Sequence, residues 1–353
     1  MKRAFAEIQL TVLAENIAHI RKHVGSTQIM GVIKADAYGH GAVTVARTLK
    51  KNGISFFAVA WLAEAVELRH HGITDPILIL SQPQRQYVQQ IVAAGVVQTI
   101  YDLDFALALQ AEAKAHGVIV EVHIKVDTGM RRIGVVPEAA VVLIQQVQKL
   151  PNLRVTGLFT HFACADEPTH PLNQQQITCF NSVVKAITGC CGRPQFIHAA
   201  NSAAIAHFPQ AHYDLVRAGI SLYRGVMSFK SQVVFVKNIP AQTSVSYGAH
   251  FVTQRPTQVA TISAGYADGL PRALSNKGRV LIKGQSFPII GNVCMDMCMV
   301  DVTGTAVVAG DEVVFIGTQG KAQITAEEVA RLTGTIDYEI MCGISKRVPR
   351  IYS

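Results

Sequence analysis

A strand–helix–strand unit spans residues 28–61, QIMGVIKADAYGHGAVTVARTLKKNGISFFAVAW. Gln28–Ala35 and Phe56–Trp61 are short apolar runs. Ala42–Asn52 between them repeats apolar residues at spacings of three and four, and Gly53 then marks the end of a helix. Apolar runs without a polar face are typical of strands in a parallel sheet that is covered on its faces. This stretch therefore predicts one repeat of a βα fold.

The same repeat continues along the chain as far as about residue 225. The further apolar runs are Pro76–Ser81, Val96–Ile100, Val118–Val126, Leu153–Phe162, Gln195–Ala200 and Leu215–Tyr223. The amphipathic stretches between the runs are Ala63–His71, Tyr87–Ala94, Leu103–His116, Glu138–Leu150 and Gln174–Thr188. Eight such units in this length predict a (β/α)8 barrel of the TIM type. A doubly wound open sheet is the alternative.

After Arg224 the pattern changes to consecutive strand-like runs separated by turn residues. The runs are Val233–Ile239, Phe251–Ile262, Arg279–Ile290, Met297–Val302 and Glu312–Gly317. One helix is indicated there by Thr325, three residues before Glu328, which is the spacing of a capping box. We predict an α/β protein with a barrel domain over residues 1–225 and a mainly β C-terminal domain over residues 226–353. We expect Phe5–Leu10 to pair with the second domain, because it is surplus to the barrel.

Composition excludes several classes of protein. Apolar residues make up 49% of the chain and charged residues 16%, which excludes a disordered chain. The net charge is +8, but the Lys and Arg residues form no cluster, so we expect no nucleic-acid partner. The longest apolar stretch, near Phe56–Ala63, is too short to cross a membrane. No signal-peptide core follows Lys2 and Arg3 before Glu7.

The seven cysteines are odd in number and include no CxxC pair. This pattern favours reduced thiols in a cytoplasmic protein over a disulfide framework or a zinc site, and we expect no bound metal.

Polar residues collect where the predicted barrel strands end, which is where barrel enzymes place their reactive groups. These residues are Lys34, Lys125, Arg132, His161, His198, Asn201, Ser202, Arg217 and Gly219. Lys34 follows an apolar run, and an amine that is partly desolvated there is a nucleophile that forms imines. Arg217 lies in an apolar run and needs an anion or a ring acceptor. A solvated lysine and hydrogen-bonded core histidines are the alternatives.

Ser202 precedes a short helix, Ala203–His207. It is either the N-cap of that helix or part of a phosphate site, since barrels often hold phosphate after strands seven and eight. The residue pattern thus predicts a barrel enzyme with a reactive lysine and a phosphate site, and it leaves the reaction open.

An ordered set of motifs resembles the alanine racemases. The motifs are Val32–Gly41 (VIKADAYGHG), Lys125–Met130 (KVDTGM), His161–Ala163 (HFA), Ala200–Ala203 (ANSA), Val216–Ile220 (VRAGI), Ser246–Gly248 (SYG), Gly265–Gly269 (GYADG), Met295–Asp296 (MD) and Asp337–Glu339 (DYE). They run from the first strand to the C-terminus. One departure is Arg131, which stands where the family commonly has Gly.

The resemblance implies a barrel followed by a β domain, with pyridoxal 5'-phosphate as the cofactor. It implies that Lys34 binds the cofactor covalently and that Lys34 and Tyr247 are the two catalytic bases. The implied cofactor-binding residues are Lys34, Tyr38, His161, Asn201, Ser202, Arg217, Gly219, Ile220 and Tyr338. The implied substrate-binding residues are Arg132, Met295, Asp296 and Tyr266. Lys125 matches a position that is carbamylated in many members.

The activity that the resemblance implies is interconversion of L-alanine and D-alanine, which supplies D-alanine for cell-wall peptidoglycan. It also implies a cytoplasmic homodimer in which Tyr247 comes from the partner subunit. A broader racemase that acts on serine or other small amino acids is the alternative, because one hydroxyl changes binding by only a few kcal/mol. A decarboxylase on this fold is disfavoured, because Arg217 replaces the expected acid. A non-catalytic carrier is disfavoured by Tyr247.

Overall fold

The computed structural model describes residues 3–353, which form two compact units. The barrel unit contains residues 14–37 and 42–222, and the β unit contains residues 3–13, 38–41 and 223–353. The first strand, β1 (Ala4–Ile8), belongs to the β unit.

The barrel unit has one sheet of eight parallel strands. They are β2 (Gln28–Val32), β3 (Phe57–Val59), β4 (Ile77–Ile79), β5 (Val97–Ile100), β6 (Val120–Lys125), β7 (Leu153–Phe159), β8 (Phe196–His198) and β9 (Leu215–Ala218). Their order is β8-β7-β6-β5-β4-β3-β2-β9. Two backbone bonds close the ring, from Asp214 N–H to Ile197 O (3.1 Å) and from Arg217 N–H to Ala200 O (2.9 Å). The TIM-type barrel is therefore confirmed, and the open doubly wound sheet is wrong.

Helices follow the strands along the chain. They are α1 (Leu10–Val24), α2 (Lys34–Gly39), α3 (Ala42–Lys51), α4 (Leu62–His70), α5 (Val88–Ala94), α6 (Leu103–Ala115), α7 (Pro137–Gln148), α8 (Pro171–Cys191) and α9 (Ser202–His207). Every residue of β3, β4 and β5 is buried, as expected for strands covered on both faces. Within residues 3–353, no helix combines the length and the apolar character that a membrane span requires.

The β unit has a nine-stranded sheet and a two-stranded one. Beside β1, its strands are β10 (Met227–Ile239), β11 (Ser244–Val245), β12 (Phe251–Val252), β13 (Thr257–Ile262), β14 (Arg279–Ile282), β15 (Gln285–Ile290), β16 (Cys298–Asp301), β17 (Glu312–Gln319), β18 (Ala322–Ile324) and β19 (Arg350–Tyr352). The large sheet has the order β18-β17-β14-β15-β16-β13-β10-β1-β19. β1 pairs antiparallel with β10 and parallel with β19. Two helices, α10 (Ala326–Thr333) and α11 (Asp337–Cys342), precede β19.

Two strands expected from the sequence are each divided in the structure. Arg279–Ile290 is wrong as one strand, because Lys283 and Gly284 both have positive φ (51° and 74°) and form a two-residue hairpin turn. Phe251–Ile262 is wrong as well: β12 ends at Val252, and Pro256, which has no N–H to donate, precedes β13.

The predicted cap of α10 is confirmed, because the Thr325 hydroxyl accepts from Glu328 N–H at 3.1 Å. The other half of the expected box is replaced by an ion pair. The Glu328 carboxylate accepts from Arg279 at 2.6 and 2.7 Å.

A buried carboxylate, Asp268, joins three segments of the β unit. It is fully buried, it accepts from Gly265 N–H at 2.9 Å, and Arg347 Nε lies 3.1 Å from it. Arg3 also donates to it. Arg347 Nη2 also donates a hydrogen bond to the Asp296 carboxylate at 2.7 Å. These bonds fix the short turn that starts at Gly265 and the segment that ends at Asp296.

We predict that Asp268→Asn lowers the free energy of unfolding by about 1–3 kcal/mol, because the buried carboxylate loses its charge-assisted bonds to two partly exposed arginines. The matched control is Asp296→Asn. Its carboxylate is half exposed, so we expect a loss below about 1 kcal/mol. Urea unfolding of both variants measures the difference. Equal losses would contradict the role of Asp268 as the joint of these segments.

Candidate active site

Arg217, in β9, is the central charged group of the barrel unit. Its side chain is almost completely buried. Nη1 lies 2.8 Å from His198 Nδ1, and Nη2 donates to Thr160 O (2.8 Å) and Ala199 O (2.9 Å). Nη2 also lies 3.2 Å from His161 Nδ1. These contacts fix the guanidinium through its two Nη atoms.

Nε–H is a donor of Arg217 that no hydrogen bond within residues 3–353 uses, and Nη1 keeps a second N–H beside its bond to His198. Burial lowers the pKa of Arg217 to about 9, which still leaves the group charged near neutral pH. The guanidinium can therefore donate a further hydrogen bond from Nε–H, and it holds no proton that it can release near neutral pH.

Two histidines contact this charge and are themselves neutral. Burial, followed by the charge of Arg217, holds the pKa of His161 and of His198 well below the usual value. His198 stacks on Phe159, with the ring planes 4° apart and the centroids 4.7 Å apart. A neutral ring is what the geometry requires, since each Nδ1 faces a donor that cannot accept a proton.

Lys125, at the end of β6, is a buried amine among other cations. Its Nζ lies 5.4 Å above the Phe159 ring. Burial is the largest influence on its pKa, followed by the charges of Arg217 and Arg132, and together they lower it to about 7. About half of the amine is then neutral at neutral pH, so this lysine is a nucleophile at physiological pH.

Lys34 follows β2 and begins an unusual turn, α2. The next residues, Ala35 to Tyr38, have φ between 52° and 54°, so the turn is left-handed. Ala37 N–H donates to Ile33 O at 2.9 Å, which closes the turn. Left-handed turns cost about 1–2 kcal/mol per non-glycine residue, so other contacts must hold this one in place.

Glu64, in α4, supplies one of those contacts. Its carboxylate accepts from Ala35 N–H at 2.6 Å and from Ala60 N–H at 2.7 Å. Asp36 supplies another, since it accepts from Ala42 N–H at 2.7 Å. The residue directly after Lys34 is thereby tied to the loop that follows β3, and the lysine is half-buried at the barrel rim.

The Ser202 hydroxyl accepts hydrogen bonds from two backbone N–H groups of a neighbouring loop. Gly219 N–H donates to it at 2.9 Å and Ser221 N–H at 3.2 Å. The N-cap of α9 is Asn201, whose side chain accepts from Ala204 N–H at 3.0 Å. Of the two alternatives for Ser202, the N-cap is therefore wrong. Its hydroxyl lies where two chain turns meet.

Arg131, which departs from the family pattern, has φ of 55°. The Asp127 carboxylate accepts from Gly129 N–H and Arg131 N–H, both at 3.0 Å. This conformation is one that glycine adopts without strain, which gives a physical reason for the glycine that the family commonly has there.

In the β unit, Tyr38 packs in an aromatic cluster. Its ring centroid lies 5.0 Å from that of Tyr223 and 5.9 Å from that of Tyr338. Burial raises the pKa of Tyr38 above its usual value, so its hydroxyl stays protonated and is available as a donor.

Three predicted residues of the β unit are exposed. Tyr247 is 74% exposed, Met295 53% and Tyr266 43%. Asn292 donates to Tyr247 O at 2.7 Å, and Tyr266 N–H and Ala267 N–H donate to Cys294 O (2.9 Å) and Met295 O (3.0 Å). The backbone of these segments is thus fixed while their side chains face solvent.

Comparison with known proteins decides the family. The family model described as "Alanine racemase, N-terminal domain" matches residues 8–226, and the one described as "Alanine racemase, C-terminal domain" matches residues 226–352. The chain belongs to the alanine racemase family. It is 41% identical to "Alanine racemase 2" of Caldanaerobacter subterraneus subsp. tengcongensis, over 98% of this chain and 94% of that protein.

Solved structures of alanine racemases have the same fold. The enzyme from Streptomyces lavendulae is 34% identical and superimposes with a TM-score of 0.95, covering 100% of this chain and 97% of that one. The enzyme from Bartonella henselae, solved with covalently bound pyridoxal phosphate, is 30% identical with a TM-score of 0.90, and both chains are fully covered. The chain is therefore an isomerase, a member of the alanine racemases.

Within the barrel unit, the alanine racemase motifs converge on one rim. The charges of Lys34, Arg132 and Arg217 all lower the pKa of Lys125 and that of His161, so these groups lie within electrostatic reach of one another. Ser202 and Gly219 are hydrogen-bonded, and Ile220 is buried beside them. The residues that lie in the β unit are Tyr38, Tyr247, Tyr266, Met295, Asp296 and Tyr338.

Sequence reasoning gave no role to three residues that support the site, although one of them, Asp268, lies within the GYADG motif. Glu64 and Asp268 each hold a backbone segment that carries predicted residues, and His123 contacts His198. In the sequence, His123 is marked only as a polar residue within a mostly apolar run. Glu64 and Asp268 lie at helix starts, and a carboxylate there has the same sequence pattern whether or not it supports a site. Residue type and spacing therefore give little indication of these three.

We predict that His123→Gln reduces the acid sensitivity of the fold. Burial lowers the pKa of His123 from about 6.5 to about 3. Between these two pH values the unfolded chain binds a proton at His123 that the folded chain excludes. The contribution of this residue to the free energy of unfolding is therefore fully present above pH 6.5, and it is lost by about 1.4 kcal/mol per pH unit as the pH falls. Urea unfolding between about pH 7 and pH 4.5 should show a shallower slope in the variant. His19→Gln, at an exposed position in α1, is the control, and an unchanged slope in His123→Gln would contradict this origin.

Proposed function

We propose that this chain is a pyridoxal phosphate-dependent racemase that interconverts L-alanine and D-alanine by a two-base mechanism. The observation that carries the proposal is the geometry of Arg217: a buried, charged guanidinium with its Nη atoms bonded and its Nε–H available. Such a donor suits the ring nitrogen of pyridoxal phosphate, which accepts a hydrogen bond. The names of the relatives support alanine as the substrate.

The chemistry of the donor set fits this cofactor. Lys34 supplies a half-buried amine for its aldehyde. Arg217 supplies a donor for its ring nitrogen, and the Ser202 hydroxyl, which Gly219 N–H holds in place, supplies a donor for its phosphate. The other residues that we propose to contact the cofactor from the barrel unit are Asn201, His161 and Ile220. Those that we propose from the β unit are Tyr38 and Tyr338. When bound, pyridoxal phosphate withdraws electrons from the substrate Cα and acidifies its C–H bond.

Racemisation requires a proton to leave one face of Cα and another to arrive on the opposite face. Lys34 and Tyr247 are the two groups that we assign to these steps, one on each face. Arg217 stays charged and transfers no proton, so it would leave the ring nitrogen of a bound cofactor unprotonated. The proton therefore returns to Cα from one of the two bases, which favours racemisation over transamination. Arg132, Met295, Asp296 and Tyr266 are the proposed substrate contacts.

Tyr247 is proposed to act in the partner subunit's site, which requires a homodimer. Tyr247, Met295, Met297 and Tyr266 are large apolar or aromatic side chains, and each is more than 40% exposed in the β unit. Neighbouring exposed apolar groups of this kind are typical of an interaction surface, and a second copy of the same chain is the commonest partner.

A cytoplasmic role in supplying D-alanine for peptidoglycan is part of the same proposal. Each of the seven cysteines is a free thiol in the structure, which is consistent with a reducing compartment. No contact in the described residues favours serine over alanine, so we do not propose the broader specificity.

We expect Lys34→Ala to lose racemisation of L-alanine by at least about 10²-fold, because one base and the covalent attachment are both lost. Borohydride treatment of the wild-type holoenzyme should fix the cofactor to the peptide that contains Lys34, located by mass spectrometry. L-serine is assayed beside L-alanine. Lys50→Ala, an exposed lysine in α3, is the control and should keep full activity. A reduced cofactor found on another lysine would refute the assignment.

Mixing Lys34→Ala chains with Tyr247→Phe chains should restore activity. After subunit exchange, half of the dimers are hybrids with one intact site of two, so about a quarter of wild-type activity is expected. Each variant alone should be inactive. If verified hybrids remain inactive, the two bases belong to one chain and the shared site is rejected.

We expect the Lys125 amine to form a carbamate with carbon dioxide, because its lowered pKa of about 7 leaves much of it neutral. The carbamate anion would attract Arg132, where an ammonium repels it. Carbon-13 NMR with labelled bicarbonate should show one carbamate signal in the wild-type holoenzyme that is absent from Lys125→Ala. A free amine at every bicarbonate concentration would exclude this modification.

A further inference from the structure

Arg217 stands at one end of a buried chain of two imidazoles. His198 Nδ1 lies 2.8 Å from Arg217 Nη1, and His198 Nε2 lies 3.0 Å from His123 Nδ1. His123 lies in β6 and His198 ends β8, and both are fully buried. His123 touches none of the proposed substrate or cofactor contacts directly, so the function described above leaves it without a role.

The charge of Arg217 and the neutrality of the two imidazoles fix the positions of the protons in this hydrogen-bonded chain. A charged guanidinium only donates, so His198 Nδ1 must accept. A neutral imidazole has one N–H, and the lowered pKa values of His198 and His123 indicate that both are neutral. The His198 proton is therefore on Nε2, where it donates to His123 Nδ1, and the His123 proton is on its own Nε2.

The protein provides space for His123 by a glycine in the adjacent strand. Gly157 of β7 is opposite His123 in the strand register, and a Cβ built on it would lie 2.4 Å from the imidazole ring. The ring also packs against Phe56 and Phe196, with centroids 6.0 and 6.1 Å away. Within residues 3–353, His123 Nε2 has no hydrogen-bond partner.

We propose that His123 is a positioning residue: its Nδ1 accepts from His198, and this bond holds His198 in the orientation that fixes Arg217. The proposal rests on the role of Arg217 given under the proposed function. This bond pairs the N–H of His198, which makes the opposite nitrogen of that ring a better acceptor. The one unpaired N–H is then on His123 Nε2, at the end of the chain that is distant from Arg217. His123 thus keeps Nδ1 of His198 directed at Arg217, and this bond fixes the orientation of the Arg217 guanidinium.

Nitrogen-15 NMR of the imidazoles in the holoenzyme tests the proton positions without measuring catalysis. We expect His123 and His198 both as neutral rings protonated on Nε2 across the neutral pH range. A proton on Nδ1 of either ring would overturn the proposal. This readout stands even if racemisation of alanine is not the activity.

Substitutions then test the effect on Arg217. We expect His123→Leu, which has no acceptor, to lower kcat about tenfold with KM changed by less than about threefold, and Gly157→Ala to act in the same way by displacing the ring. His123→Gln retains an acceptor oxygen and should recover most of kcat. Gln110→Leu is the matched control: it removes a buried polar group that bonds Asn152 before β7, and kcat should not change.

A double-mutant cycle separates positioning from general loss of structure. In an Arg217→Lys background, His123→Leu should lower kcat no further, because the group that it positions is gone. Additive losses in this cycle, or equal kcat for the Leu and Gln variants, would overturn the proposal. The Lys34→Ala result is independent of these outcomes, so failure of the positioning role and failure of the proposed function are distinguishable.

Discussion

The constraint on which the barrel site depends is a positive charge buried without a negative partner. Arg217 is 3% exposed. Its hydrogen-bond partners are two carbonyl oxygens and two imidazoles, and it forms no salt bridge with any of residues 3–353. Burying an unpaired charge is expensive, and dipoles must replace the water that the guanidinium has lost. Each neighbour is adapted to this charge: the histidines are held neutral, and the pKa of Lys125 is lowered.

An accumulation of cations of this kind favours the arrival of anions. Burial lowers the pKa of His161 most, and four cations lower it further: Arg217, Lys125, Arg132 and Lys34. Their combined potential favours anions such as a carboxylate, a phosphate or a carbamate. The same potential disfavours a second ammonium. Electrostatics thus links Lys34, Lys125 and Arg217 into one site, in which removal of any charge changes the titration of the others.

The sequence predicted the barrel because strands buried on both faces have no polar face, and β3 to β5 are such strands. The placement of Lys34 and Arg217 then followed from where strands end. The left-handed turn after Lys34 was not predictable, since Ala35 to Tyr38 contain no glycine and their support from Glu64 lies 29 residues away in the chain. The space for His123 depends on Gly157, a residue of another strand, and such a pair has no signature in either segment alone.

The segment Tyr38–Gly41 has a consequence for recombining members of this family. By its contacts it belongs to the β unit, although both flanking segments belong to the barrel unit. A Cβ on Gly39 would meet Met341 O at 2.5 Å, and one on Gly41 would meet the Tyr352 hydroxyl. A chimera joined at a single point near residue 225 would therefore combine this tetrapeptide from one parent with its packing partners from the other. Exchange of the β unit as a module requires residues 38–41 and the N-terminal strand to be inherited together with it.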